Sequence, residues 1–245
     1  MDKIVNFSIP HISEHIFELL DDPTLVQCRS VSKTWKVQSD KIVLKRWKDN
    51  LLMVFSDGHV DVVQVLLDHL DLNAKGQFGF TPLIAACKNG QIEVVKILLE
   101  NSQSKSIKLD IDDNSGKTAF MWACRSGKQE VVKLLLDSKK IDFNAKDNYG
   151  ETGFMMACQF GHKDVVKLLL DTQVPNSIDL NAKDMYGQTG LIKACLSEQL
   201  NVVQSLLLSS KSKGINVPSK LECLWFSRTI NQILSIWFSE SVFRI

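Results

Sequence analysis

The sequence has few cysteines, no long apolar run and no excess charge of either sign, and each absence excludes a class of protein. Six cysteines in 245 residues are too sparse for a disulfide scaffold, and no pair has the Cys-x-x-Cys spacing of a zinc knuckle or redox site. No fully apolar run approaches the length of a membrane span, and residues 1–10 hold no signal-peptide core. With 29 basic and 28 acidic residues, no strong field points to nucleic acid. We therefore expect a soluble intracellular protein, cytoplasmic or nuclear, that binds neither membranes nor nucleic acid.

One pattern recurs along the chain. Four cysteines occupy the same position in it, separated by 37, 34 and 37 residues: Cys87, Cys124, Cys158 and Cys195. A Gly-x-Thr triplet recurs in step with them, beginning at Gly79, Gly116, Gly150 and Gly187. Each unit then contains Val-Val followed two residues later by an apolar pair, and the five copies begin at Val62, Val94, Val131, Val165 and Val202. A spacing of this size indicates a repeat protein.

Each part of the unit has a physical reason. The glycine allows a tight turn, and the threonine two places later can cap the helix that follows. The Val-Val-x-x-Leu-Leu spacing gives a second helix one apolar stripe. The unit is therefore a turn, a short helix, a glycine turn, a second helix and a loop. A unit of this size cannot bury its stripe alone, so the units must stack.

This arrangement resembles the ankyrin repeat over residues 49–210. Only Thr81-Pro82-Leu83 keeps the Thr-Pro-Leu start of the family, and the proline is replaced by Ala119, Gly153 and Gly190 in later units. We predict about five repeats. The first has Val54-Phe55 where later units have Ala-Cys, which suits a terminal repeat that packs against something else.

The N-terminal segment has a different pattern, which resembles an F-box. Its features are an Ile-Pro start, an Ile-Phe helix, an Asp-Pro break and a Val-Ser-Lys-x-Trp end. The resemblance implies binding to a Skp-type adaptor through Ile9, Pro10, Ile16, Phe17, Leu20, Leu25, Cys28, Val31 and Trp35. The alternative is that these helices only cap the solenoid.

The chain as a whole is predicted to be all-α. We expect a three-helix F-box at residues 1–48, an ankyrin-repeat α-solenoid with β-hairpin-like turns at 49–210, and a C-terminal cap or tail at 211–245. In the tail, a predicted capping helix has apolar residues at helical spacing, which would cover the end of the stack or bind a partner: Phe226, Ile230, Ile233, Leu234 and Trp237. No linker rich in Gly, Ser or Pro precedes the first repeat, so we expect one rigid arm.

F-box and ankyrin families together imply the substrate-receptor subunit of a cullin-based ubiquitin ligase, in which the repeats bind the target protein. Side chains beside the turn glycine, and before the next glycine, vary from unit to unit. We predict that they bind the target: Asn114, Ser115, Lys117, Arg125, Ser126, Asn148, Tyr149, Glu151, Gln159, Phe160, Met185, Tyr186, Gln188 and Leu196. Tyr149, Phe160 and Tyr186 would either anchor the target or pack between neighbouring turns.

No set of residues points to catalysis, a metal or a cofactor. Gly116-Lys117-Thr118 lacks the earlier glycine of a phosphate-binding loop, because Ile111 stands there. Cys158 and His162 have a ligand-like separation, but they do not complete a four-ligand site. Two other functions remain open: an ankyrin scaffold or inhibitor, and an ankyrin protein with a covalent or hydrolytic activity for which no residue set argues.

Overall fold

The computed structural model describes residues 20–28, 30, 33–47, 51–172 and 178–217. These residues form twelve α-helices and no strand, so the predicted all-α class is confirmed. The predicted C-terminal capping helix lies outside them, as do most residues of the predicted first F-box helix. The helices are α1 (Asp22–Cys28), α2 (Lys33–Trp47), α3 (Leu51–Asp57), α4 (Val60–His69), α5 (Pro82–Asn89), α6 (Ile92–Glu100), α7 (Ala119–Arg125), α8 (Gln129–Ser138), α9 (Gly153–Gln159), α10 (Lys163–Asp171), α11 (Gly190–Leu196) and α12 (Leu200–Lys213).

Helices α3 to α12 form five pairs, which correspond to the five predicted repeats. The first helices pack against one another in one row, α3 to α5, α7, α9 and α11, and the second helices pack in a parallel row. The paired valines of the second helices, the first leucine of each apolar pair and the four repeated cysteines are buried between the rows. The helix α12 extends to Lys213, three residues beyond the predicted end of the repeats.

The predicted threonine caps are present at the start of four first helices. In each case the hydroxyl accepts a hydrogen bond from the backbone N–H three residues later, which satisfies a donor that has no partner inside the helix. The four are Thr81, Thr118, Thr152 and Thr189. At the other end of α5, Gly90 has a φ of 82° and terminates the helix in the left-handed conformation that glycine tolerates.

The turns that precede the first helices are hairpin-like, as predicted. Asp113 and Asp147 each donate their backbone N–H to the carbonyl four residues later, at 2.9 and 3.0 Å. Successive turns are joined by backbone hydrogen bonds, since Asn114 N–H donates to the Phe78 carbonyl at 3.1 Å and Met185 N–H to the Tyr149 carbonyl at 2.9 Å. The turns therefore form one hydrogen-bonded row along the stack.

A second set of hydrogen bonds joins the connections between repeats. The side-chain oxygen of one residue in each connection accepts the backbone N–H of a residue in the next. Asn73 accepts from Lys108 at 2.8 Å, and Asn181 accepts from Asn216 at 2.7 Å. Asn144 does the same for Asp179, and Asp110 stands in the remaining position and accepts from Asp142 at 3.2 Å. We call these four residues the connection bridges.

The packing between first helices accounts for the glycines that stand in place of the family's proline in two repeats. Gly153 faces the ring of Phe120 in the preceding repeat, and an added Cβ would lie 2.8 Å from Phe120 Cε1. Gly190 faces Phe154 in the same way, at 2.7 Å. The rings of Phe120 and Phe154 thus occupy the space that a larger residue at the start of the following first helix would need.

The N-terminal helices dock directly onto the first repeat. Both α1 and α2 pack against α4 as well as against each other, and Leu25, Ile42 and Val43 are buried there. Polar contacts accompany this packing: His69 Nε2 lies 3.1 Å from Asp40 Oδ2. The two predicted modules therefore share one hydrophobic core in the described residues.

Candidate protein-binding surfaces

The N-terminal helices hold the residues that were predicted to bind an adaptor, and the described ones are mainly internal. Leu25 and Cys28 are buried in the core that α1 shares with α2 and α4, and Leu20 packs half-buried against that core. Leu25 and Cys28 therefore support the helices from inside, and the expectation that they contact a partner is corrected. The backbone of Trp35 lies in α2. The other predicted positions lie outside the described residues: Ile9, Pro10, Ile16, Phe17 and Val31.

The row of turns presents aromatic side chains to solvent. The residue just before the turn glycine is Phe78, Tyr149 or Tyr186 in three repeats, and these side chains are 67%, 52% and 69% exposed. The corresponding residue in the third repeat is Ser115. Because the backbone hydrogen bonds between turns hold this row together, the rings project from a rigid edge. The two tyrosines are thus on the surface, as anchors of a target would have to be.

A group of rings and cations lies next to this row, along the first helices. We call Phe78, Phe80, Lys88, Trp122, Arg125 and Phe160 the aromatic–cation strip.

The strip is continuous across three repeats. The ring of Phe80 meets Trp122 edge to face at a centroid distance of 5.3 Å, and Lys88 Nζ lies 4.9 and 4.8 Å from the centroids of these two rings. The guanidinium of Arg125 lies 4.1 Å from the Phe160 centroid and 5.8 Å from Trp122. Such contacts hold cations against rings without removing their charge. Phe160 is 39% exposed, so its ring lies on the surface beside Arg125.

Two predicted target-binding residues are instead buried in ion pairs between repeats. Lys117 Nζ lies 2.9 Å from Asp147 Oδ2 in the next repeat. Glu151 pairs with Lys193, whose Nζ is also 2.8 Å from Asp184 Oδ2. Lys117 is buried and the Glu151 carboxylate is largely enclosed. Both charges are used to join repeats, so the expectation that they are presented to a target is corrected.

The turn aspartate Asp113 has a lowered pKa because of its hydrogen bonds. Burial alone would raise the pKa of Asp113, but hydrogen bonds from Ser115, the Lys117 N–H and the Trp122 indole outweigh it and lower the pKa. The indole Nε1 donates to Asp113 Oδ2 at 2.8 Å. These contacts keep the carboxylate ionised and use its oxygens inside the repeat.

The same balance holds for the ion pair of the last repeat. Burial would raise the pKa of Asp184 and lower that of Lys193, yet their mutual contact lowers the first pKa and raises the second. Both groups therefore stay charged at neutral pH, and their role is structural.

Comparison with protein families agrees with this architecture. A family model described as ankyrin repeats (3 copies) matches residues 51–147 and 140–220. The chain belongs to the ankyrin-repeat family. The model of the F-box domain matches residues 8–47, which confirms the predicted order of an F-box followed by ankyrin repeats. No curated protein matches the chain.

The remaining predicted target-binding residues of the ankyrin repeats lie at the surface to different degrees. Four are exposed, namely Asn114, Asn148, Met185 and Leu196. Five are partly buried, namely Ser115, Arg125, Ser126, Gln159 and Gln188.

Four members of the aromatic–cation strip were missed from the sequence: Phe78, Phe80, Lys88 and Trp122. Alignment of the turn around Gly79 with the turns around Gly150 and Gly187 would have found Phe78.

F-box and ankyrin modules are interaction domains, and three of the repeated cysteines in the ankyrin interior are not activated. Burial raises the pKa of Cys87, Cys124 and Cys158, so these thiols stay protonated. Within the same residues no group of three or more His, Cys, Asp and Glu side chains could hold a metal ion. No helix among them is long and apolar enough to cross a membrane.

Proposed function

We propose that the chain is the substrate-recognition subunit of a Skp-cullin-F-box type ubiquitin ligase. In this proposal the F-box binds a Skp-type adaptor, the adaptor connects it to a cullin, and the ankyrin repeats bind the target protein. The chain itself transfers no ubiquitin, and the partner enzymes carry out that chemistry. We place it in the cytoplasm or the nucleus on the same reasoning.

The observation that carries this proposal is the F-box attached directly to a stack of interaction repeats. An F-box followed by ankyrin repeats fits such a substrate adaptor at the family level. The helices α1 and α2 pack on α4, in the row of second helices. The row of turns and the aromatic–cation strip lie along the row of first helices. The proposed adaptor-binding helices and the proposed target-binding surface are therefore on different rows of the stack.

A scaffold or inhibitor without ubiquitin chemistry is the second candidate. The burial of Leu25 and Cys28 against α2 and α4 favours it, because a cap needs only that packing. The two candidates differ in one property, since only the ligase subunit must bind the adaptor.

The deciding experiment measures adaptor binding. We expect the purified full chain to retain a Skp-type adaptor at micromolar concentration, and the double variant Leu20→Lys, Val31→Lys to lose it. The matched control is Leu200→Lys, Leu208→Lys, which places the same two charges on exposed leucines of α12. Circular dichroism melting must show that the ankyrin repeats of all variants remain folded. A wild-type chain that ignores the adaptor would reject the ligase and leave the scaffold.

A further inference from the structure

We propose that the aromatic–cation strip binds an acidic, extended segment of the target protein, whose carboxylates pair with Lys88 and Arg125. This inference builds on the proposed function, because the bound segment belongs to the target. It adds the chemical class of that segment, which neither the F-box nor the ankyrin family determines.

The first argument is that the two cations are not neutralised. Among the described residues, Lys88 and Arg125 have no carboxylate within ion-pair distance. Both cations instead contact rings. Lys128, whose side chain covers Gly90, adds a third cation to the same region. By contrast, the neighbouring Lys117 is paired with a carboxylate.

The second argument concerns the acidic groups of the same face. Asp113, Asp147 and Asp184 are all buried. Their oxygens accept backbone N–H groups of the turns, and they also contact Trp122, Lys117 or Lys193. Their charge is therefore held below the surface, whereas Lys88 and Arg125 are partly exposed. A ligand that touches the strip meets the cations first.

The third argument is the geometry of the cations. A guanidinium stacked on a ring leaves its N–H edge available, and that edge matches the two oxygens of a carboxylate. The apolar rings around it reduce hydration, which strengthens an ion pair formed there. Arg125 meets these conditions between Phe160 and Trp122.

Nucleic acid is the other class of ligand that a combination of rings and cations attracts, and the contacts argue against it. Base stacking requires open ring faces. Here Arg125 covers a face of Phe160 and Lys88 lies over both Phe80 and Trp122, so among the described residues Phe78 is the one ring of the strip without a cation over it. The chain also has a formal net charge of only +1, which provides little attraction for a phosphate backbone. We therefore assign the strip to a protein segment.

The test uses the full chain and a phage-displayed library of random 12-residue peptides. We expect the peptides that the wild type enriches to be rich in Asp and Glu, and the double variant Lys88→Glu, Arg125→Glu to lose this enrichment. The matched control Lys133→Glu, Lys167→Glu changes the net charge equally on exposed positions of the second helices α8 and α10, and it should keep the enrichment. Absence of acidic enrichment, or its persistence in the first double variant, would overturn the proposal.

The enriched peptide is then measured by fluorescence polarisation. We expect its dissociation constant to rise at least about tenfold in the variant Lys88→Gln, Arg125→Gln, and high salt to weaken its binding to the wild type. Melting curves identify any variant that has lost its fold. Tighter binding of a phosphoserine version would assign the strip to a phosphorylated segment, and tighter binding of a 12-nucleotide oligouridine would assign it to RNA. Either result would overturn the carboxylate assignment.

The outcome is independent of the ligase assignment. A chain that binds the adaptor but selects no acidic peptide rejects only this inference. A chain that selects acidic peptides but ignores the adaptor rejects only the ligase.

Discussion

Replacing Gly153 by alanine tests whether the ring of one repeat determines the residue allowed in the next. Gly153 is the first residue of α9, where the family has proline. Its Cα faces Phe120, which is buried and packs edge to face against Phe143 at 5.1 Å. We expect Gly153→Ala to destabilise the stack, although alanine is the better helix former.

The magnitude follows from the contacts that the new methyl group would make. An alanine Cβ would lie 2.8 Å from Phe120 Cε1, 2.9 Å from Cδ1 and 3.3 Å from Cys124 Sγ. Forcing an extra carbon into a packed core costs about 1–3 kcal/mol. The better helix propensity of alanine returns up to about 1 kcal/mol. We therefore expect a net loss of roughly 1–2 kcal/mol in the free energy of unfolding.

A double-mutant cycle separates this clash from other effects. Phe120→Leu alone removes ring contacts and should cost about 1 kcal/mol, but it also opens the space that the alanine methyl group needs. In the Phe120→Leu background, Gly153→Ala should then be neutral or stabilising. Urea unfolding of the full chain, followed by circular dichroism, measures all four variants. The expected coupling between the two positions is about 1–3 kcal/mol.

Additive effects, with a coupling below about 0.5 kcal/mol, would refute the reasoning. Gly190 and Phe154 provide an independent copy of the same contact, and they must behave alike. Ala119, at the same position of the third repeat, shows that alanine is accommodated where the preceding repeat has no phenylalanine. It already carries the methyl group, and its preceding repeat has Leu83 where the later ones have phenylalanine.

Three further predictions concern single contacts. Burial and the charge of Asp142 raise the pKa of Asp110, so ionised Asp110 weakens the fold at neutral pH. Asp110→Asn should raise the free energy of unfolding by less than about 1 kcal/mol at pH 7. This gain should vanish as the pH falls below about 4, and melting curves at several pH values measure it. Thr152→Ala removes a helix cap and should cost about 1 kcal/mol in urea unfolding, whereas Thr152→Ser should cost little. Asp40→Ala removes the contact with His69 and should speed hydrogen exchange in α1 and α2 more than in the last repeats; uniform acceleration would contradict a local docking role.

Features that depend on neighbours along the chain could be predicted from the sequence. The threonine caps and the apolar stripes of the second helices are local, and both stand where the repeat pattern places them. Tyr149 and Tyr186 are recognisable by their position beside a turn glycine, and both are exposed. The number of helix pairs follows from the same pattern.

Features that depend on contacts between repeats were missed or assigned wrongly. The pattern predicts Lys117 and Glu151 as target-binding residues because they stand beside a turn glycine at positions that vary from unit to unit. Their partners Asp147 and Lys193 lie one repeat away in the sequence, and no local rule joins them. Trp122 was missed for the same reason, since Phe80 and Lys88, which contact its ring, belong to the preceding repeat.

The connection bridges and the Phe–Gly contacts set different rules for how such a chain can change in length. Each connection bridge joins a side chain of one repeat to a backbone N–H of the next, and every residue except proline carries that donor. An inserted or deleted repeat therefore keeps the bridges intact. The contacts of Phe120 and Phe154 with a following glycine require that the next repeat begin its first helix with glycine. The stack can thus grow or shrink by whole repeats, which changes how far a bound segment sits from the F-box, provided that a repeat starting with glycine follows Phe120 and Phe154.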